Sequence, residues 1–493
     1  MKKMKMGRAG RRNWALSTLA HLATKPSSWL IASGLLGAAG LLCALVNLGW
    51  GDPGFFVQVQ YLSLLAIPLC PLLARGAFAQ KDAARGTAIG EGEETARMIC
   101  GTAMDADADE DAGAAGANGD AARMSGGAIG ADGAGKDAGE SAARANGAAA
   151  NAGVALGYLA FGALLCAPLC AYPALIAPSG AAFGCVLGFF AFFEVMLAIC
   201  LVIEARVGRH ALGWSLAAMV ALRALTGLAQ LPGRAGALVG WVGVRFSPYA
   251  LLTPCVNGLV DVRALACALI ACALCVALVA HGRGGARKRD GFAAVLAAFC
   301  VALCFLLPTT LSVFDLNAQQ PTLLSSDMAL SLKGLNAKVL IRQVAQVGNE
   351  DVWVRGYLQK LAERHAYIAY RAVDPRMDAR IAELKLPDNS LIVENEDQWI
   401  VVRQEAIYQS GVSFLGTQHT FDLEGALLTA ISEATGLKLT YGGVPRGRPM
   451  NVVPLAPDEA GKARALALIW GAPGACLAAA GLAWARKRRG ARR

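Results

Sequence analysis

A chain of 493 residues in which 55% are hydrophobic and only 17% charged, with a mean hydropathy of +0.45, is too apolar for an ordinary soluble enzyme. The net charge of +10 gathers in tails and short connections beside apolar runs. Residues 315–463 hold 15 Lys and Arg against 18 Asp and Glu, so the basic balance gives no support to a nucleic-acid partner.

A membrane span needs roughly 20 mainly apolar residues to cross about 30 Å of hydrocarbon. Eight runs qualify in chain order: 28–49, 55–75, 152–176, 180–204, 212–230, 264–281, 291–313 and 465–485. The first is too long for a signal peptide and lacks a small-residue cleavage site, so it is expected to be a retained span. Lys2, Lys3, Lys5, Arg8, Arg11, Arg12 and Lys25 precede it, Arg206 and Arg209 separate the fourth and fifth runs, and Arg486–Arg489 follow the last. Threading eight spans puts these on one side, which the positive-inside rule makes cytoplasmic. The loop at 231–263 and the block at 315–463 then fall outside.

The predicted architecture is an all-α membrane bundle of about eight helices plus one α/β extracytoplasmic domain. Residues 1–27 form a basic cytoplasmic tail, and 28–281 a six-span bundle interrupted by an insert at about 95–150. Residues 282–314 hold a linker and the seventh span, 315–463 the outer domain, and 464–493 the eighth span and a basic tail. The insert is mostly Ala, Gly, Asp and Asn, too poor in large apolar residues to offset its ordering entropy, and reads as a solvated linker. Its acidic cluster, Asp105, Asp107, Asp109, Glu110 and Asp111, lacks the glycine and terminal glutamate placement of an EF-hand.

Within the outer block, Ala337–Ala345 and Ala366–Val373 are β-rich runs around a helical period in Asp351–His365, which predicts a βαβ unit with parallel strands. Leu391–Glu394 and Trp399–Arg403 read as a hairpin. Asp422 is a candidate cap for a last helix that ends near Gly436. The rest, to Ala463, reads as a Gly- and Pro-rich tether.

No catalytic constellation stands out. The chain has no phosphate-binding loop of the G-x-x-x-x-G-K-[ST] type, no G-x-S-x-G elbow and no H-E-x-x-H helix. No cofactor or metal site is expected. Thirteen of the 14 cysteines lie in or beside apolar runs, and the Cys166/Cys170 and Cys272/Cys275 pairs read as packing thiols. His365, His419, Asp374 and Glu424 lie too far apart in sequence to suggest one site, and Asp374-Pro375 reads as a turn. Two intramembrane charges are more informative. Glu194 and Arg223 each sit about 15 Å into their helices, counted at 1.5 Å per residue, where ionisable groups usually pair inside the bundle. They are expected to form an ion pair that either lines a path or fixes helix register.

The order of these parts resembles the six-span permease of type-2 ABC exporters fused to a domain of the GldG (gliding-motility auxiliary) type. In the permease half the resemblance rests on Pro71-Leu-Leu-Ala-Arg75 with Asp82, Gly86 and Thr87, and on Phe246-Ser-Pro248 through Gly258-Leu-Val-Asp261. In the outer half it rests on Thr322-Leu-Leu-Ser325, on Leu358–Arg364 leading to Asp374-Pro375, and on Phe421-x-x-Glu424 through Ile431. The family implies a separate ATPase subunit that supplies ATP hydrolysis, a second permease copy, and contact of the Asp82–Gly86–Thr87 segment with the ATPase. The chain departs from the family in the insert that follows Thr87 and in having only one outer domain. The rival expectation is a membrane-anchored envelope or sensor protein whose α/β domain binds a ligand and which transports nothing.

Overall fold

The computed structural model describes residues 14–34, 36–38, 55–75, 77–78, 147–167, 180–208, 210–281, 287–306, 309–317, 320–396, 398–413, 416–439, 448–449 and 459–491. The segment Asp82–Gly86–Thr87, the acidic cluster at 105–111 and most of the insert lie outside them.

The helical part comprises α1 (Trp14–Thr24), α2 (26–34), α3 (Phe55–Ala74), α4 (Gly147–Ala167), α5 (Gly180–Val207), α6 (Ala211–Leu228), α7 (Gly233–Phe246), α8 (Leu252–Val256), α9 (Val262–His281) and α10 (Arg287–Phe305). Four helices among the described residues are long and apolar enough to cross a membrane: α4, the Phe183–Val207 part of α5, α6, and the Val262–Ala280 part of α9. The apolar stretch Ser63–Ala74 of α3 is shorter. Runs expected at 291–313 and 465–485 fall largely on α10 and on the C-terminal helix Glu459–Ala491. The basic tail expected at 1–27 is in part helical, because α1 packs its Leu22 into the bundle and sets Thr18 against α4 at Gly157.

Helix α5 is the bundle's axis. Its Phe192, Phe193, Met196, Leu197 and Leu201 are each 0–1% exposed, so the helix is covered on several faces, by α3, α6, α8 and α9. Lipid is as apolar as leucine, so close van der Waals packing rather than water exclusion holds such helices together. Glycines permit that packing where α8 meets α5. A Cβ on Gly188 would lie 2.4 Å from Cβ of Cys255, and one on Gly184 would lie 2.8 Å from the Cys255 carbonyl oxygen.

The loop expected at 231–263 holds helices α7 and α8 and a short strand. After the turn at 229–232, α7 runs back along α6, with Gly240 against Ala229, Gly243 against Leu225, and Ser247 Oγ 3.4 Å from the Leu222 carbonyl. From Ala229 to Leu222 is about 10 Å along a helix at 1.5 Å per residue. The chain then turns through 248–251, climbs α5 as α8, and reaches strand β1 (Leu259–Asp261). We call 233–258 the returning segment.

The α/β region begins at β2 (Val313–Asp315), which pairs antiparallel with β1 through Leu259 and Asp315, Val260 and Phe314, and Asp261 and Val313. Beyond it a four-stranded sheet runs in the order β4 (Ile368–Val373), β3 (Val339–Val344), β5 (Ser390–Asn395), β6 (Gln398–Val402). Strands β3 and β4 are parallel, joined by α11 (Val352–Arg364) as the βαβ pattern requires; β5 and β6 form the expected antiparallel hairpin. Helix α12 (Leu423–Thr435) starts where the Asp422 carboxylate accepts from Gly425 N–H and stops at Gly436, whose φ of 66° suits a residue without Cβ. Ile341, Leu391 and Val393 of the sheet pack with Leu358 and Leu361 of α11 and Leu427 and Ile431 of α12. This cluster contains no residue of the bundle, and the bundle's cluster contains none of the α/β region. A second hairpin, β7 (Tyr408–Ser413) with β8 (Gly416–Phe421), carries β9 (Arg448–Pro449) on its edge.

Candidate functional site

The two apolar cores share no residue, and the junction between them, bridged by several polar groups, is the candidate site. It begins with the end of α6, whose last carbonyls have no partner within the helix. Arg376 Nη1 donates to two acceptors there, the Ala229 oxygen at 2.7 Å and the Leu231 oxygen at 2.8 Å. A guanidinium also suits the negative pole of a helix C-terminus.

Arg376 is held in place by Asp374, two residues before it. Nε donates to Oδ1 at 3.0 Å and Nη2 to Oδ2 at 2.7 Å, the parallel fork that Arg forms and Lys cannot. The carboxylate also accepts from the backbone N–H of Arg376 and of Val347. The Arg376 and Asp374 side chains are 10% and 4% exposed. Burial alone would raise the Asp374 pKa, but the Arg376 side chain and the two backbone donors outweigh it and hold the carboxyl below its usual value. The Asp374 carboxylate in turn raises the Arg376 pKa. Asp374-Pro375 is thus a turn, as its sequence suggests, and its carboxylate aims the next cation at the bundle.

A second contact centres on Asn257, at the end of α8. Its carbonyl accepts from Trp353 Nε1 at 3.0 Å and from Asn317 Nδ2 at 2.9 Å. Gly258 has φ of 75°, and a Cβ there would lie 2.5 Å from Asn317 Oδ1, so backbone direction and close approach both require glycine. Asn317 and the buried Thr322 are fastened to Asp315: Oδ1 accepts from Asn317 N and Nδ2, and Oδ2 from Thr322 N and Oγ1. Lys360 Nζ donates to Thr322 Oγ1 at 3.1 Å; burial lowers its pKa, with Asp315 opposing. This arrangement orients backbone against backbone. It brings no nucleophile and base together, and among the described residues no three His, Cys, Asp or Glu side chains converge to hold a metal.

The predicted Glu194–Arg223 pair is not formed. Glu194 Oε1 is buried beside Gly162 of α4 and has no hydrogen-bond partner. Arg223 donates to Thr226 Oγ1 at 2.6 Å and lies 5.3 Å from the Tyr249 ring centroid. The same ring is 4.8 Å from Phe192 of α5, so the returning segment occupies the space between the two helices at that level. The expectation of equal depth took no account of what stands between the two helices.

Of the dispersed polar residues, His365 Nε2 lies 2.9 Å from the Leu332 carbonyl, and Glu424 accepts from Ser325 N and Tyr357 OH. Both tie the α/β region together and neither reaches the junction. Arg376, Trp353, Asn257 and Asn317 were not singled out in the sequence, since each has its target far along the chain. No family model, curated protein or solved structure matches this chain.

Proposed function

We propose that the chain is the membrane-spanning component of an ABC exporter that draws on ATP hydrolysed by a separate subunit, with a second copy of the permease and membrane lipid as its other partners. It binds no cofactor of its own and no nucleic acid in this reading. Eight spans would place both termini in the cytoplasm and residues 315–463 outside, where the α/β region would bind substrate or an envelope partner and act on the translocation path. The observation that carries the proposal is the seat of the α/β region. Arg376 and Trp353 attach it to the turn and to the end of the returning segment, between apolar helices α6 and α9. A sensor domain on a free tether has no need of such contacts, whereas a gate does.

Purifying the full chain from its native membrane and identifying what accompanies it tests the reading. A phosphate-loop ATPase should co-purify in stoichiometric amount. Repeated recovery of folded chain without one would favour the anchored sensor.

A further inference from the structure

In parallel α/β arrangements, ligands bind outside the carboxyl ends of the strands, where loops leave the sheet. In this chain that edge of the β3–β4 pair is formed by the loop 345–351 after β3 and the Asp374–Met377 turn after β4. Both loops face the bundle. Gly348 lies against Val244 of α7, and Arg376 grips the carbonyls of Ala229 and Leu231. We infer that the carboxyl edge of β3–β4 is a binding site whose occupant is the chain's own 229–231 turn, and that Arg376 makes this docking a reversible latch on the α6–α7 hairpin.

Three observations support reversibility. The two apolar clusters share no residue, so undocking exposes no common core. Such polar contacts between separately cored parts resemble transient interfaces, across which relative motion is the default. The Asp374 fork remains complete when Arg376 lets go, because only Nη1 spans the gap; the cation therefore stays paired in the open state. The β1–β2 ladder with the Asn257–Asn317–Trp353 contacts supplies a separate attachment on which the region can turn. The inference depends on the gate reading only for its purpose, not for its geometry.

Amide hydrogen exchange on the full chain in lipid nanodiscs tests it. In the unmodified protein, peptides covering 229–244 should exchange faster than those of β5 (390–395), since latch opening precedes global unfolding. Arg376→Gln should accelerate 229–244 by about tenfold or more, the effect of losing a charged hydrogen bond, with β5 unchanged. Arg376→Lys, which keeps the charge without the fork, should give a smaller acceleration in the same peptides. Equal exchange of 229–244 and β5 in the unmodified chain would overturn the latch, as would an Arg376→Gln rate within twofold of the original. If Arg376→Gln does not fold, the Lys variant decides: acceleration confined to 229–244 supports the latch, and acceleration that spreads to β5 or is absent refutes it. None of these readouts uses an ATPase, so failure to recover one leaves the latch standing, and loss of the latch leaves the co-purification test intact.

Discussion

Replacing Gly188 with alanine should unseat the returning segment from α5. The added methyl would start 2.4 Å from Cys255 Cβ and 2.8 Å from its Sγ, both well inside the 3.5–4.0 Å of an ordinary carbon contact. The sulfur can rotate away but Cβ cannot, so α5 and α8 must separate by about 1 Å. Overpacking of this kind costs about 1–3 kcal/mol, and backbone-fixed contact puts this site near 3. The intrinsic preference of a helix for Ala over Gly returns about 1 kcal/mol, leaving a net loss of about 2. Gly213→Ala is the control, because nothing lies within 4 Å of a Cβ there and only the gain remains. Detergent-purified variants would be compared by unfolding in increasing SDS, followed by tryptophan fluorescence. Adding Cys255→Gly to Gly188→Ala removes both clashing atoms, and the double variant should show a coupling above about 1 kcal/mol. Equal stabilities of Gly188→Ala and Gly213→Ala would refute the packing argument.

Other outcomes follow from the polar contacts. Because the folded Asp374 pKa lies below the unfolded value of about 3.9, its contribution is complete above that value and disappears as pH falls through the lower folded one. Proteolysis of the 374–378 turn, measured from pH 5 to pH 2, should rise in the original chain, and Asp374→Asn should be susceptible already at pH 5. Neutralising Glu194 and Arg223 singly and together should give a coupling below about 0.5 kcal/mol, since no contact joins them; a coupling above 1 would restore the ion pair. Tyr357→Phe removes a 3.1 Å hydrogen bond to Glu424 from a ring that is 1% exposed, and should lower α/β stability by about 1 kcal/mol in thermal melts.

What the sequence disclosed depended on how local the cause was. The β3–α11–β4 unit, the β5–β6 hairpin and the Asp422 cap each follow from a few adjacent residues, and all are present with bounds shifted by at most two positions. Helix α7 was hidden because its 14 residues include four glycines, poor helix formers, of which Gly240 and Gly243 let α7 lie on α6. Strands β1 and β2 have three residues each, too few to show alternation, and exist because they pair with each other. Arg376 was hidden for a related reason: Asp374-Pro375 specifies a turn, but no local signal says that the following guanidinium will meet carbonyls 145 and 147 residues away.

The β1–β2 ladder also imposes a parity rule on the membrane topology. Helix α9 begins at the residue after β1, and α10 is complete before β2. Since Asp261 and Val313 lie side by side, the chain between them must leave one membrane face and come back to it, in zero crossings or two but never one. With the ladder at a membrane face, α9 and α10 would have to cross together or not at all, although of the two only α9 is long and apolar enough by itself. A single accessibility reporter in the 229–232 turn would assign the compartment of the whole α/β region as well.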